Sequence, residues 1–472
     1  MLIAFFIWTL LAIGLSYFGK TNHQRAVILG ITALLHVSMS FVVLLGQNSG
    51  MDALSVWILV TLSLLFGGIA LHAIGYFSHC LKDNSNLVVI ISLHLFLFFA
   101  TGMMMAKDLI SMWIFLESSS LSCAPLIYYT KNKGSIEATW KYLFLVSIGI
   151  LLALIGILFL AYSSLIANIE HMDLDFFTLF ARAEEFNTTW FLIAFVFIFI
   201  GFATKIGLFP LHLWKVDAYS EEPGLFGALM AGGMTTLSWL AMMRLMQIMH
   251  AAHQEACMRD ALIVFGILSV LFGAFSMLKQ NDTKRLMAYS SVEQMGLIAI
   301  GFGLGGAGIW AAMYHLFNNA LLKGTVFIAL GNVKRVFGTR DAKGISGAIR
   351  IMPYSAFALL IALFAIVGTP PFGSFVSIFH IIQGTFSYSI LLFFALIFGL
   401  VIAFFGMSRT ILGVVRGKPP TGMQRFHERS FMFVSPFLFL GIVAFIGLYM
   451  PSFVSQVLLE ATQLLGGVYG GF

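Results

Sequence analysis

Apolar stretches of about 20 residues recur along this chain from end to end, each long enough to cross a hydrocarbon core of roughly 30 Å as a helix. Short polar gaps separate them, and no soluble domain fits between. Of the 472 residues 60% are hydrophobic and 10% charged, where a soluble domain carries roughly 25% charged residues. The expected class is therefore all-α, a polytopic membrane protein. Residues 2 to 17 lack a basic start and a small-residue cleavage pattern, which favours a retained first helix over a signal peptide.

The spans run near 2–17, 26–46, 53–78, 87–105, 109–129, 142–163, 189–210, 225–249, 261–278, 286–304, 308–332, 353–383, 389–408 and 431–450, about fourteen transmembrane helices. The net charge of +6 forms no continuous patch, so no nucleic-acid partner is expected and the cations read as topology signals. Basic residues should gather in every second loop. Gaps after odd-numbered spans hold Lys20, Arg25, Lys82, Lys131, Lys133, Lys141, Lys215, Lys279, Lys284, Arg285, Lys334, Arg335, Arg340, Lys343, Arg350, Arg409, Arg416, Lys418, Arg425 and Arg429. Even gaps hold Lys107, Arg182 and Arg259. This asymmetry puts both termini on the non-cytoplasmic side of the inner (cytoplasmic) membrane, with the lipid bilayer as solvent.

Three cations fall inside spans. Arg244 lies in the last turns of span 8, where a long side chain snorkels toward the interface. Lys205 and Lys323 lie deeper, where an ionisable group costs at least about 2.5 kcal/mol and calls for a partner or a wet cavity. Span 5 carries Glu117, followed by three serines. Span 7 carries Lys205 just before Pro210, which has no N–H for the carbonyl of Ile206, so a break with a wet cavity is expected there. Glu117 near Lys205 holds the lysine charged, and its departure lets desolvation favour the amine. A static ion pair that only fixes packing is the competing reading. Span 11 places His315, Asn319 and Lys323 on one face at a spacing of four, beside Asn318, a stripe able to relay protons. Glu293 in span 10 reads equally as an uptake point for protons or as a partner of Arg285.

Span 12 repeats the break at Gly368-Thr369-Pro370-Pro371, five spans after the first. Five helices per unit require inverted topology in the second copy. The division is 1–86 for spans 1 to 3, 87–250 for the first repeat (helices 4 to 8), 260–410 for the second (helices 9 to 13), and 411–472 for span 14 and the tail, with broken helices 7 and 12. His380 follows the second break. Cys80, Cys123 and Cys257 have no paired spacing, so neither a disulfide framework nor a metal cluster is expected. His36, His72 and His94 on separate spans read as hydrogen-bonded histidines rather than haem ligands. The chain is expected to hold no cofactor and no catalytic centre of its own, since it shows no phosphate-binding loop and no metal-ligand cluster.

Several motifs carry a resemblance: Glu117 with its serines, Ile136-Glu137-Ala138-Thr139-Trp140-Lys141-Tyr142, Gly201-Phe202-Ala203-Thr204-Lys205-Ile206-Gly207, Pro210-Leu211-His212-Leu213-Trp214, Lys284 to Glu293, and the span-11 stripe. Over nearly its whole length the chain resembles the antiporter-like, proton-conducting membrane subunits of complex I, of multisubunit sodium/proton antiporters and of membrane-bound hydrogenases, most of all the hydrogenase-4 component F type. The resemblance implies a proton path through Glu117, Lys205 and Lys323, inverted repeats, and a multisubunit complex with other membrane subunits and a peripheral redox or other soluble module. Alternatives are a cation/proton antiporter or inorganic-carbon uptake subunit, and a non-conducting scaffold. The chain departs from the family pattern at Lys215-Val216-Asp217-Ala218-Tyr219, where Leu-Pro-Asp-Ala-His is usual. It departs again at Ile378, where relatives carry a charged residue, and at Asn319, where many carry histidine.

Overall fold

Pro210 and the pair Pro370-Pro371 interrupt two apolar runs, and the computed structural model, which describes residues 2–46, 50–78, 84–167 and 174–468, breaks a helix at each. The first break separates Thr188–Ile206 from Leu213–Glu221, and the second separates Pro353–Ile366 from Gly373–Tyr388. Gly207 (φ +78) and Gly368 (φ +80) take the left-handed turn that ends each first half, a conformation open to glycine because it has no Cβ. Prolines follow each glycine within three residues.

The described residues form helices without a named strand, and ten of these helices are long and apolar enough to cross a membrane. The protein is a multi-pass membrane protein. Leu2–Phe18 and Pro353–Ile366 are apolar but shorter. Thr283–Leu304 and Ala307–Phe337 are long, lie in the middle of the packing, and carry buried polar side chains. The span predicted over 109–129 divides into Leu109–Leu121 and Ala124–Tyr128, with Pro125 in the first turn of the second piece. Short helices at Phe176–Arg182, Leu213–Glu221 and Ser452–Gln463 fall where the hydropathy pattern predicts loops. Cys80 and Lys82 lie outside the described residues.

Two isolated bridges tie loops to helix starts in the same way. Asp108 pairs with Asp175, and Asp282 with Asp341. In the first, Leu109 N donates to Leu174 O (3.1 Å) and Phe176 N to Lys107 O (2.8 Å). In the second, Thr283 N donates to Arg340 O (3.0 Å) and Ala342 N to Asn281 O (2.8 Å). All four aspartates also accept backbone N–H groups at the start of the helix that follows, the usual use of an aspartate as N-cap.

Glycine sets the closest helix approach. Gly224, opening the buried Gly224–Ala251 span, lies against Gly331 on Ala307–Phe337, where a Cβ would meet the carbonyl of Phe327 at 2.2 Å. Within that span residues 229–234 form a π-helical turn, a local feature that often marks a functional segment.

Arg244 does not snorkel. It is buried, paired with Asp52 (2.5 and 2.9 Å), bonded to Ser55 and Gln247, and set over the ring of Phe176 at 5.0 Å. Its partner lies 192 residues away, so the tertiary fold supplies what the helix position alone could not reveal. His36 lies between Ser63 and Thr101, His72 on the carbonyl of Phe431, and His94 on that of Ile90.

Candidate functional site

Three helices bring the first charged group together. Leu109–Leu121 supplies Glu117, Thr188–Ile206 supplies Lys205, and Lys133–Ile166 supplies Ser147. Lys205 Nζ donates to Glu117 Oε2 at 3.0 Å and Ser147 Oγ to Glu117 Oε1 at 3.0 Å. The lysine side chain is fully enclosed and the glutamate 15% exposed. A buried ammonium with one anionic partner depends on that partner for its charge.

The break beside Lys205 is satisfied by side chains. Trp214 Nε1 donates to the carbonyl of Thr204 (2.8 Å), and Lys215 Nζ donates to the carbonyl of Ile206 (2.7 Å), the one that Pro210 leaves without a backbone donor. Lys215 is fully buried and is therefore not the loop cation its position in the sequence suggests. Lys284 is likewise buried, with its Nζ on the carbonyl of Glu222, whose carboxylate is buried without a hydrogen-bond partner among the described residues. Removing Lys215 and Lys284 from the topology count leaves eighteen cations in odd gaps against three in even ones. Sequence reading missed Lys215, Glu222 and Lys284 because all three lie in a gap or at the edge of an apolar span. The signal available for Lys215 was the carbonyl that Pro210 orphans, since a long cation nearby is a natural donor to it.

On the far side of the centre, Lys323 Nζ donates to Ser290 Oγ at 2.8 Å. Glu293 accepts from Gln294 Nε2 (2.8 Å), Gln294 Oε1 lies 2.7 Å from His315 Nε2, and His315 Nδ1 lies 2.8 Å from Ser377 Oγ. Gln294 gives its N–H to Glu293, so its oxygen accepts from His315 Nε2–H. Nδ1 then accepts the Ser377 hydrogen when the ring is neutral. When the ring is charged it donates instead, and Ser377 turns to the carbonyl of Ser374, 3.0 Å away. A hydroxyl rotation thus accommodates both states of the imidazole. Lys323 is within electrostatic range of Glu293 and His315.

Arg285 pairs with Asp217 (2.9 Å), which also takes Lys141 (2.9 Å). This overturns the reading of Glu293 as a partner of Arg285. Asn319 is buried with neither amide atom bonded to the described residues. His380 stands against the ring of Trp310 (centroids 5.4 Å) and lines a cavity of about 520 Å³ with Leu304, Gly308 and Gln383. Ser377, not His380, is the residue of that helix that meets His315. Ile378 packs on Gly368 and lines a second cavity of about 370 Å³, together with Glu293, Gln294 and Thr369. Pro370 and Pro371 lie in the turn before it, as Pro210 does in the first break.

Residues 106–406 match the family described as NADH:quinone oxidoreductase/Mrp antiporter, TM. The chain is 33% identical over 358 residues to a "Hydrogenase-4 component F homolog" of Methylacidiphilum infernorum, covering 75% of this chain and 74% of that one. It is 28% identical over 435 residues to "Na(+)/H(+) antiporter subunit A1" of Staphylococcus aureus, covering 85% of this chain but only 53% of the relative. A chain of the membrane-bound sulfane sulfur reductase, an archaeal respiratory membrane complex, superimposes with a TM-score of 0.86 at 24% identity, covering 98% of this chain and 96% of that one.

Proposed function

From the premise that the chain belongs to the NADH:quinone oxidoreductase/Mrp antiporter transmembrane family, we propose that it is a proton-translocating membrane subunit of a multisubunit redox-coupled complex, hydrogenase-like or complex I-like. Protons move along Glu117, Lys205, Lys323, Glu293 and His315, with His380 on the outlet side. One observation carries the reading: Lys205 is fully enclosed and its ammonium meets a single carboxylate, at 3.0 Å. Glu117 within reach stabilises the charged lysine, and weakening that contact releases its proton. Energy comes from partner subunits, other membrane chains and a peripheral redox module.

The same proposal includes fourteen crossings and two inverted repeats, over 87–250 and 260–410, flanked by 1–86 and 411–472. The two aspartate bridges and the two glycine-ended breaks support it, because each pair of features recurs in the same order along the two segments. The excess of cations in odd gaps supports an inner-membrane protein with both termini outside the cytoplasm.

Purification in mild detergent with mass spectrometry of the co-purifying chains tests the partner class, and redox subunits are the expected companions. In the same complex, reconstituted in vesicles, Lys323→Met should reduce proton flux by about a hundredfold without loss of assembly. Unchanged flux refutes the path. A second reading, a subunit of a cation/proton antiporter, is favoured by the likeness to the Staphylococcus protein; sodium-dependent flux without an electron donor selects it.

A further inference from the structure

We propose that Lys215, carried into the centre by the second half of the broken helix, is a proton-carrying relay residue between Lys205 and Lys323. This inference rests on the proton path above and adds a group to it. Four observations support it.

Lys215 is enclosed completely, as are Lys205 and Lys323. Its Nζ is anchored at the carbonyl of Ile206, the residue that follows Lys205 in the chain, so its anchor lies one residue from the Lys205 backbone. Its stem passes over Gly207, where a Cβ would lie 2.8 Å from Lys215 Cδ and 3.4 Å from Nζ. The left-handed glycine therefore ends the helix and also leaves the room the lysine occupies. On its other side the Lys215 ammonium is within electrostatic range of Lys323, while no carboxylate is bonded to its Nζ among the described residues. The remaining neighbours are His212, which feels the lysine's charge, and the ring of Tyr219 at 5.7 Å.

A lysine anchored by a neutral carbonyl keeps a hydrogen bond in both protonation states, since ammonium and amine each have an N–H to give. A lysine held by a carboxylate loses its main stabilisation when it gives up its proton. Lys215 is thus built to change charge without losing its position. The step is a simple transfer: the Lys205 ammonium gives up H⁺ as Glu117 withdraws, the Lys215 amine takes it up to become ammonium, and the Lys323 amine accepts it in turn. Repulsion from an already charged Lys323 holds back the second transfer until Lys323 has discharged toward Glu293 and His315, so the two lysines are charged in turn.

The alternative is that Lys215 only caps the orphaned carbonyl. Lys215→Met removes donor and charge while keeping the stem. Lys215→Arg keeps a donor and a permanent charge but cannot release a proton. Each is assayed as the full complex purified with its own partners, with proton flux into vesicles read by a pH-sensitive dye, normalised to assembled complex, beside Lys323→Met. The expected result is normal co-purification of partners with flux reduced at least about tenfold in both Lys215 variants. Wild-type flux in the Met variant, or in the Arg variant should the Met variant fail to assemble, overturns the relay. If Lys215 variants conduct while Lys323→Met does not, only this inference fails; if Lys323→Met also conducts, the proton path itself fails.

Discussion

The two helix breaks share a backbone and differ in what is packed on it. In the first, the stem of Lys215 lies over Gly207; in the second, Ile378 Cδ1 takes the matching place over Gly368, 2.9 Å from where a Cβ would stand. Carbonyls in the first break accept from an indole and an ammonium, Thr204 O taking the indole together with the backbone N–H of Gly207 and Ile206 O taking the ammonium. In the second, Ala365 O accepts from the hydroxyl of Ser374 (2.5 Å), and Phe364 O from the backbone and hydroxyl of Thr369. One backbone device thus hosts a titratable group in one half and an apolar wall in the other. A helix break creates room for a proton site, and the residue laid on the glycine decides whether the room is used. The charged lining that Ile378 omits is supplied beside the second break by Glu293, which lines the same cavity.

The largest effect should come from uncoupling the charges of the first break. Glu117→Ala leaves Lys205 enclosed without its anion, and losing one partner of a buried pair costs about 3–5 kcal/mol. A steep fall in the thermal midpoint of the purified complex, with loss of proton flux, is expected; a stable, conducting variant would show that Lys205 finds another partner. Next, Gly207→Ala and Gly368→Ala set the two breaks against each other. Each forces a side chain into the left-handed region at about 1–2 kcal/mol, so both should lower the midpoint. The first also displaces Lys215 and should depress flux severalfold more than the second, and equal flux would erase the distinction between the breaks.

A smaller effect is expected from Ser377→Ala, which takes the hydroxyl from His315 Nδ1 at a cost of about 1 kcal/mol and should slow flux while leaving assembly intact. The smallest lies outside both breaks. Burial works to raise the Asp52 carboxyl, but the hydrogen bond and charge of Arg244, with Ser55, outweigh it and hold it below its ordinary value. A carboxyl held below its ordinary value contributes stability above its unfolded pKa and loses it as pH falls through the folded value. The thermal midpoint should therefore drop by a few degrees on acidification, and Asp52→Asn should flatten that dependence.

Much of the candidate path was legible in the residues. Glu117, Lys205 and Lys323 stood out because a charge inside an apolar run is costly wherever the fold puts it, and the two breaks were visible because proline lacks an N–H. Lys215 and Lys284 were not legible. A lysine in a polar gap looks the same whether it faces water or turns inward, and the half-helix that carries Lys215, Leu213–Glu221, is too short to show a hydropathy signal. Arg244 was misread for the related reason that its anion comes from the start of another helix.

Sequence alone therefore determined which long segments are apolar, where two of them must break, and that Glu117, Lys205 and Lys323 lie within such segments, because these follow from local backbone chemistry and from the cost of moving charge out of water. Only the tertiary structure decided which groups meet. Glu117 with Lys205, Lys215 with the carbonyl of Ile206, and His315 between Gln294 and Ser377 are contacts between separate helical segments, set by how those segments pack, which local backbone chemistry does not encode.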